Sequence, residues 1–199
     1  MPSGGRCVEN DRIKYMNKID QLKKLVKEEC FKNNREWFYK THLIQVEKFA
    51  KILLKKLPKA DKETVMLAVW CHDLQRVRNL KGDHEKVGAR EAAKTLKEFG
   101  YDDGVIERIK EIISHHSGND PKKIKTLEGK ILVSADAMSH YHNDFFLKIA
   151  VMAQRDIEQF KKWSLEKLNR NYNKKIFFPF AKKMIKKRHD ALMYIFTMK

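Results

Sequence analysis

Two imidazoles and two carboxylates, His42, His72, Asp73 and Asp136, each fall on the core side of an apolar segment. The adjacent pair His72-Asp73 carries the most information. It closes the run Val65-Met66-Leu67-Ala68-Val69-Trp70-Cys71-His72-Asp73-Leu74, where a carboxylate is costly unless something compensates its charge. An unpaired buried carboxylate would rather protonate than stay charged, and a metal ion removes that conflict. Four such residues on three separate segments therefore suggest one shared divalent cation. Mixed imidazole and carboxylate ligation suits Fe, Mn, Co, Ni or Zn and tolerates Mg. A structural zinc site would be richer in Cys, and the chain has no CxxC.

The elements that must position these residues read as helices. A charged helix is expected over 9–32, with Ile13, Met16, Ile19, Leu22, Leu25 and Val26 on one side. A second, over 36–57, stops before Pro58; its stripe of Val46, Phe49, Leu53 and Leu57 has His42 at its head. A third is expected over 60–77 with Asp61 as N-cap, and Val65, Ala68, Val69 and His72 keep the i, i+3, i+4, i+7 rule. That spacing turns His72 to the core and leaves Asp73 about 100° around the axis. Further helices are expected over 84–99, capped by Asp83 and closed by Gly100, then 103–116 and 127–140. The last three are expected over 143–162, 164–176 and 180–197, with Pro179 breaking the final pair.

Composition bounds this picture. The 199 residues suffice for one domain with a substantial core, and the eight Gly and four Pro are too few for long loops or a large sheet. The expected fold is all-α: a single domain over 1–199, a bundle of about eight or nine helices, with the motifs between about 36 and 142. No stretch approaches the roughly 20 apolar residues of a membrane span, and residues 1–10 lack a signal-peptide core. Three widely spaced cysteines, Cys7, Cys30 and Cys71, argue against a disulfide framework and for a reducing cytoplasm. Cys71 reads as a small buried hydrophobe more readily than as a thiolate ligand. The net charge is +17, and the last 39 residues hold twelve Lys or Arg against Glu166 and Asp190. Such an excess attracts nucleic acid, anionic lipid or a phosphorylated substrate, or is a solvated surface.

The ordered set His42, His72-Asp73, His84-Glu85-Lys86-Val87-Gly88-Ala89, Ile112-Ile113-Ser114-His115-His116 and Val133-Ser134-Ala135-Asp136-Ala137 resembles the HD superfamily of metal-dependent phosphohydrolases over roughly residues 40–140. The resemblance implies an all-α fold around a divalent metal held by His42, His72, Asp73 and Asp136. In members with two metals, histidines corresponding to His84, His115 and His116 complete a second site, so one or two ions are expected. The implied reaction is metal-assisted hydrolysis of a phosphate ester or anhydride, with a nucleotide or another small phosphorylated metabolite as substrate. Asp73 would be both ligand and orienter of the attacking water, and His115 or His84 would donate to the leaving group. Arg76 and Arg78, with Lys81 and Lys122, are the candidate phosphate contacts. The missing Gly-Tyr-Pro after the double His speaks against the cyclic-dinucleotide branch.

Two other readings share these residues. One is a dinuclear-iron HD-type oxygenase. The other is a non-enzymatic nucleic-acid-binding module, in which Trp163, Tyr172, Phe177, Phe178 and Phe180 interleave with Lys and Arg as single-strand binders do; core packing is the commoner use of aromatics at that spacing. The oligomeric state is not legible.

Overall fold

The computed structural model describes residues 17–117, 120–154 and 156–198. Among them, nine helices have ten or more residues and no strand is present, in keeping with the all-α expectation. In chain order the α-helices are α1 (Lys18–Lys32), α2 (Glu36–Phe38), α3 (Ile44–Lys56), α4 (Lys62–Cys71), α5 (Leu74–Val77), α6 (His84–Glu98), α7 (Asp103–Ile113), α8 (Leu127–Ser139), α9 (Asn143–Ala153), α10 (Ile157–Arg170) and α11 (Pro179–Thr197). The start expected at residue 9, with Ile13, Met16 and Cys7, lies outside the described residues.

Helix starts are set by short polar caps. Asp61 accepts from the amides of Glu63 and Thr64, Asp83 from Lys86, Asp102 from Val105, Thr126 from Gly129 and Asp156 from Glu158 and Gln159. Each satisfies amides that have no partner inside the helix, a contribution of about 1 kcal/mol per cap. Gly100 closes α6 at φ +68°, a conformation that costs glycine nothing. The break expected between 162 and 164 is absent: α10 runs through it, and the chain instead turns at Gln154 with φ 44°.

Two helices lie at the centre. Every residue of α4 from Thr64 to Cys71 is buried, because α1, α3, α7 and α8 all pack around it. Helix α8 is buried from Ile131 to Ser139 between α3, α4 and the C-terminal segments. Such all-round burial explains why α4 is apolar on every side rather than along one stripe. One continuous cluster of buried hydrophobic side chains extends from Leu22 to Ile185. Cys71 is part of it, and burial pushes its thiol up to about 12, so it is an inert apolar residue rather than a thiolate.

The chain departs from plain helix at two places, and both position ligand-type side chains. Residues 36–56 are helical as expected, but Tyr39–Leu43 form a π turn between α2 and α3. The extra residue in that turn lets Phe38, Tyr39, His42 and Leu43 all face inward. The helix expected over 60–77 is interrupted at the dipeptide: α4 ends at Cys71, Asp73 leaves the helical region at φ −112° and ψ 20°, and α5 starts anew at Leu74.

Candidate metal centre

In an unbroken helix, His72 and Asp73 would point about 100° apart. The interruption lets both turn inward: His72 is fully buried and Asp73 is 5% exposed. Gly88 on α6 permits it, since a Cβ there would lie 3.3 Å from the carbonyl oxygen of His72. His42 reaches the same point from the π turn, and Asp136 from α8. His42 Nε2 lies 3.2 Å from Asp73 Oδ2 and 3.4 Å from Asp136 Oδ1, and His72 Nε2 lies 3.3 Å from Asp73 Oδ2.

The other oxygen of Asp73 faces a second group. His84 Nε2 is 3.0 Å and His116 Nε2 3.9 Å from Asp73 Oδ1. His84 stands at the first turn of α6, and His116 comes just after α7. Thus His42, His72 and Asp73 form one group able to hold an ion, and Asp73, His84 and His116 another, with the carboxylate common to both. His42, Asp136 and His140 make a third combination beside the first.

The ring orientations test whether these residues suit a metal. His72 Nδ1 donates to the carbonyl of Val69 at 2.8 Å, and His116 Nδ1 to that of Ile113 at 2.6 Å. His84 Nδ1 donates to Gln75 Oε1 at 3.1 Å, whose own amide donates to the carbonyl of Leu80. His42 Nδ1 donates to Ser139 Oγ at 3.0 Å, because the Ser139 hydroxyl is spent on the carbonyl of Asp136. With Nδ1 carrying the proton, each Nε2 presents a lone pair to the centre, the tautomer that metal-ligating histidines need. His72 Nε2 is buried without a hydrogen-bond partner, and the Nε2 atoms of His84 and His116 face each other at 3.0 Å. Lone pairs confronting one another and a carboxylate repel unless a cation lies between them. The donor set therefore fits a divalent ion.

The electrostatics agree. Burial works against the charge of Asp73, yet the imidazoles that face it, His72 foremost, hold its carboxyl well below the ordinary range, and Asp73 in turn draws His72 up against its own burial. Burial likewise opposes Asp136, but His140, Lys175, His42 and His72 keep it ionised. Burial pushes His116 down, toward the neutral ring that a ligand must be.

Above the centre opens a cavity of about 580 Å³. Its floor is Asp73, Asp136, His42, His84 and His116, and Arg76 reaches it with Nε 3.2 Å from Asp73 Oδ1. Residues not singled out in the sequence form much of the wall. They are His140, Lys167, Arg170, Lys175 and Arg35, with Trp37, Phe38 and Phe145 supplying flat apolar surface beside Trp163. Lys175 Nζ sits 3.9 Å from Asp136 Oδ2. Lys167 lies over the rings of Phe145 and Trp163 at 5.5 and 5.8 Å, and burial draws its ammonium down to about 7. His140 had a visible signal, one helical turn after Asp136; the Lys and Arg had none in a chain this basic.

Four expected residues stand elsewhere. His115 turns away, since α7 ends at Ile113 and the turn after it commits His116 to the centre; His115 lines shallow surface depressions with Glu111 and Lys123. Arg78 is tied to Glu29 and Glu91 at 2.9–3.0 Å and to Thr95 Oγ1 at 3.0 Å, so its guanidinium is consumed by the scaffold. Lys81 and Lys122 are exposed and do not line the cavity. The C-terminal aromatics are largely packing groups: Trp163, Tyr172, Phe178 and Phe180 rest on the core, and Tyr172 stacks on His189 at 4.2 Å.

Residues 39–141, just over half of the chain, match the HD domain family. The chain belongs to the HD domain family. The matched span runs from the π turn that carries His42 to the end of the segment after α8, and so contains all of the ligand-type histidines and carboxylates above. No curated protein and no solved structure matches the chain. HD domains bind divalent metals and are typical of metal-dependent phosphohydrolases. No helix among the described residues is long and apolar enough to cross a membrane.

Proposed function

We propose that this HD-domain protein is a metal-dependent phosphohydrolase acting on a phosphate ester or anhydride of a small metabolite, with a nucleotide as the best-fitting class. The observation that carries the reading is the shared carboxylate: each oxygen of Asp73 belongs to a different ligand group, at the floor of a cavity walled by cations and aromatic rings. We propose His42, His72, Asp73 and Asp136 as holders of one divalent ion and Asp73, His84 and His116 as holders of a second. Mn, Fe, Co, Ni, Zn or Mg bound there would polarise a phosphoryl oxygen and acidify water.

The chain's own residues supply the rest. Asp73 orients the attacking water. Arg76 lies against Asp73, where a phosphoryl oxygen would arrive, and neutralises developing charge. Lys167, Arg170 and Lys175 take further phosphate oxygens, and Trp37, Phe145 and Trp163 offer faces for a base. His84 serves as ligand rather than leaving-group donor. His115, Arg78, Lys81 and Lys122 have no part in this reading, given where they stand. We also infer one domain over 1–199, since α1 and the C-terminal helices share the core of the matched span, and a reducing cytoplasm, since Cys30 and Cys71 are free buried thiols.

The test is turnover of phosphomonoesters, phosphodiesters and nucleotides with each divalent metal. Hydrolysis of any of these that needs metal and is lost in Asp73→Ala supports the proposal; none across the panel rejects it. Two irons with a mixed-valent spectrum and no phosphoester or anhydride hydrolysis would mean an oxygenase. Salt-sensitive RNA or DNA retention unaltered by Asp73→Ala would mean a binding module.

A further inference from the structure

The five histidines of the centre divide by what faces Nδ1. For His42, His72, His84 and His116 it is an oxygen acceptor, which leaves Nε2 as a lone pair. For His140 it is the carboxamide nitrogen of Asn171, at 3.2 Å. With the carboxamide in this orientation, its Oδ1 buried without a partner, the nitrogen donates, so Nδ1 of His140 accepts and its proton resides on Nε2. That Nε2 faces the carboxylate of Asp136, whose Oδ1 lies 3.8 Å away. The negative charge favours a proton on that side, while the distance is too long for a hydrogen bond. The ring lines the cavity and is held flat against His42, with centroids 5.3 Å apart and planes 21° apart, and edge-on to Phe145 at 4.3 Å. Asn171 is fully buried and stands in a second π turn (Asn171–Lys175), which continues from α10 and packs on α8. This π turn is the last turn of the helical run and re-aims the side chain there.

We propose that His140 is not a metal ligand but a neutral Nε2–H donor to a non-bridging oxygen of the transferring phosphoryl group, and that Asn171 is the positioning residue that holds it in this tautomer. The proposal rests on the phosphohydrolase reading for its substrate, but not for its tautomer. A neutral donor beside an anionic centre needs no proton transfer: it hydrogen-bonds the oxygen where charge accumulates, and its ring neither gains nor loses a proton over the cycle. Its place next to Asp136 puts the donor within reach of a group bound over the first ligand set.

Imidazole nitrogen NMR on the full-length protein, metal-free and zinc-loaded, reads the tautomer without any turnover. His140 is expected as the Nε2–H form in both states, and Asn171→Asp, which presents only acceptors to Nδ1, is expected to move the proton to Nδ1. A wild-type His140 with its proton on Nδ1, or a Nε2 signal shifted by zinc as a direct ligand's is, would overturn the proposal. With a turned-over phosphoester, His140→Asn is expected to lower kcat by about 10²-fold with KM within threefold and metal content unchanged. Asn171→Asp is expected to lose kcat in the same sense by about tenfold, with the melting temperature checked alongside. Loss of metal in His140→Asn, or unchanged kcat in both variants, would likewise overturn it. If no phosphoester is turned over at all, the phosphohydrolase reading fails while the tautomer result stands by itself.

Discussion

The matched span and the C-terminal helices build opposite walls of one cavity by different physics. In the span from the first π turn to α8, the ligand-type side chains are buried, His84 only partly, and each ring has its far atom fixed: Val69, Ile113, Gln75 and Ser139 each hold one. Such anchoring orients ligands before any ion arrives and keeps the cost of binding low. The wall from α9 to the second π turn is instead built from long cationic side chains and aromatic rings. Lys167 is held by Phe145 and Trp163 rather than by a carboxylate, and Arg170 at the rim is exposed. In the proposed reading, one region positions an ion and the other takes the anion that meets it. The span that matches the HD domain family holds the first wall and ends at residue 141.

The strongest way to break this division is to remove the shared carboxylate. Asp73→Ala is expected to bring hydrolysis of the substrate to background, because it takes a ligand from both ion groups and leaves Arg76 without its partner. Activity within tenfold of wild type would end the distinction between the two walls. Next in size, Lys167→Ala with Arg170→Ala is expected to raise KM by roughly 10²–10⁴-fold with metal content unchanged, since each charge-assisted hydrogen bond to phosphate is worth about 1.5–3 kcal/mol. A fall in metal content instead would make the C-terminal wall part of the ion site.

Arg78 sharpens the contrast from the other side. Arg78→Ala is expected to cost about 1–3 kcal/mol in urea unfolding, by stranding partly buried Glu29 and Glu91, and to leave KM alone. A raised KM at unchanged stability would return Arg78 to the substrate. Lys167 adds a pH signature. Its pKa falls from an ordinary 10.5 to about 7 in the fold, so the unfolded chain binds more protons between those values and stability rises with pH across that window. Lys167→Met is therefore expected to raise the melting temperature more at pH 6 than at pH 9; an equal gain at both would deny the burial. Smallest of all, His115→Ala is expected to change neither metal content nor kcat.

Legibility in the sequence splits along the same line. The caps at Asp61 and Asp83, the buried run of α4 and the ligand types at 42, 72, 73 and 136 were legible because each depends on local spacing. The interruption at Asp73 and the π turn at His42 were not, since regular helical periodicity makes no allowance for an extra or missing residue. His115 and His116 are neighbours, and where α7 stops decided between them. Lys167, Arg170 and Lys175 reach the site through long-range packing, and among 43 Lys and Arg nothing local marks them.

The central claim is that the two oxygens of Asp73 serve two ions. Anomalous scattering from crystals grown with Mn tests it directly. The account predicts one peak among His42, His72, Asp73 and Asp136, a second among Asp73, His84 and His116, and the loss of both in Asp73→Ala. Full occupancy at either position in that variant, or a wild-type ion bound away from Asp73, would contradict it.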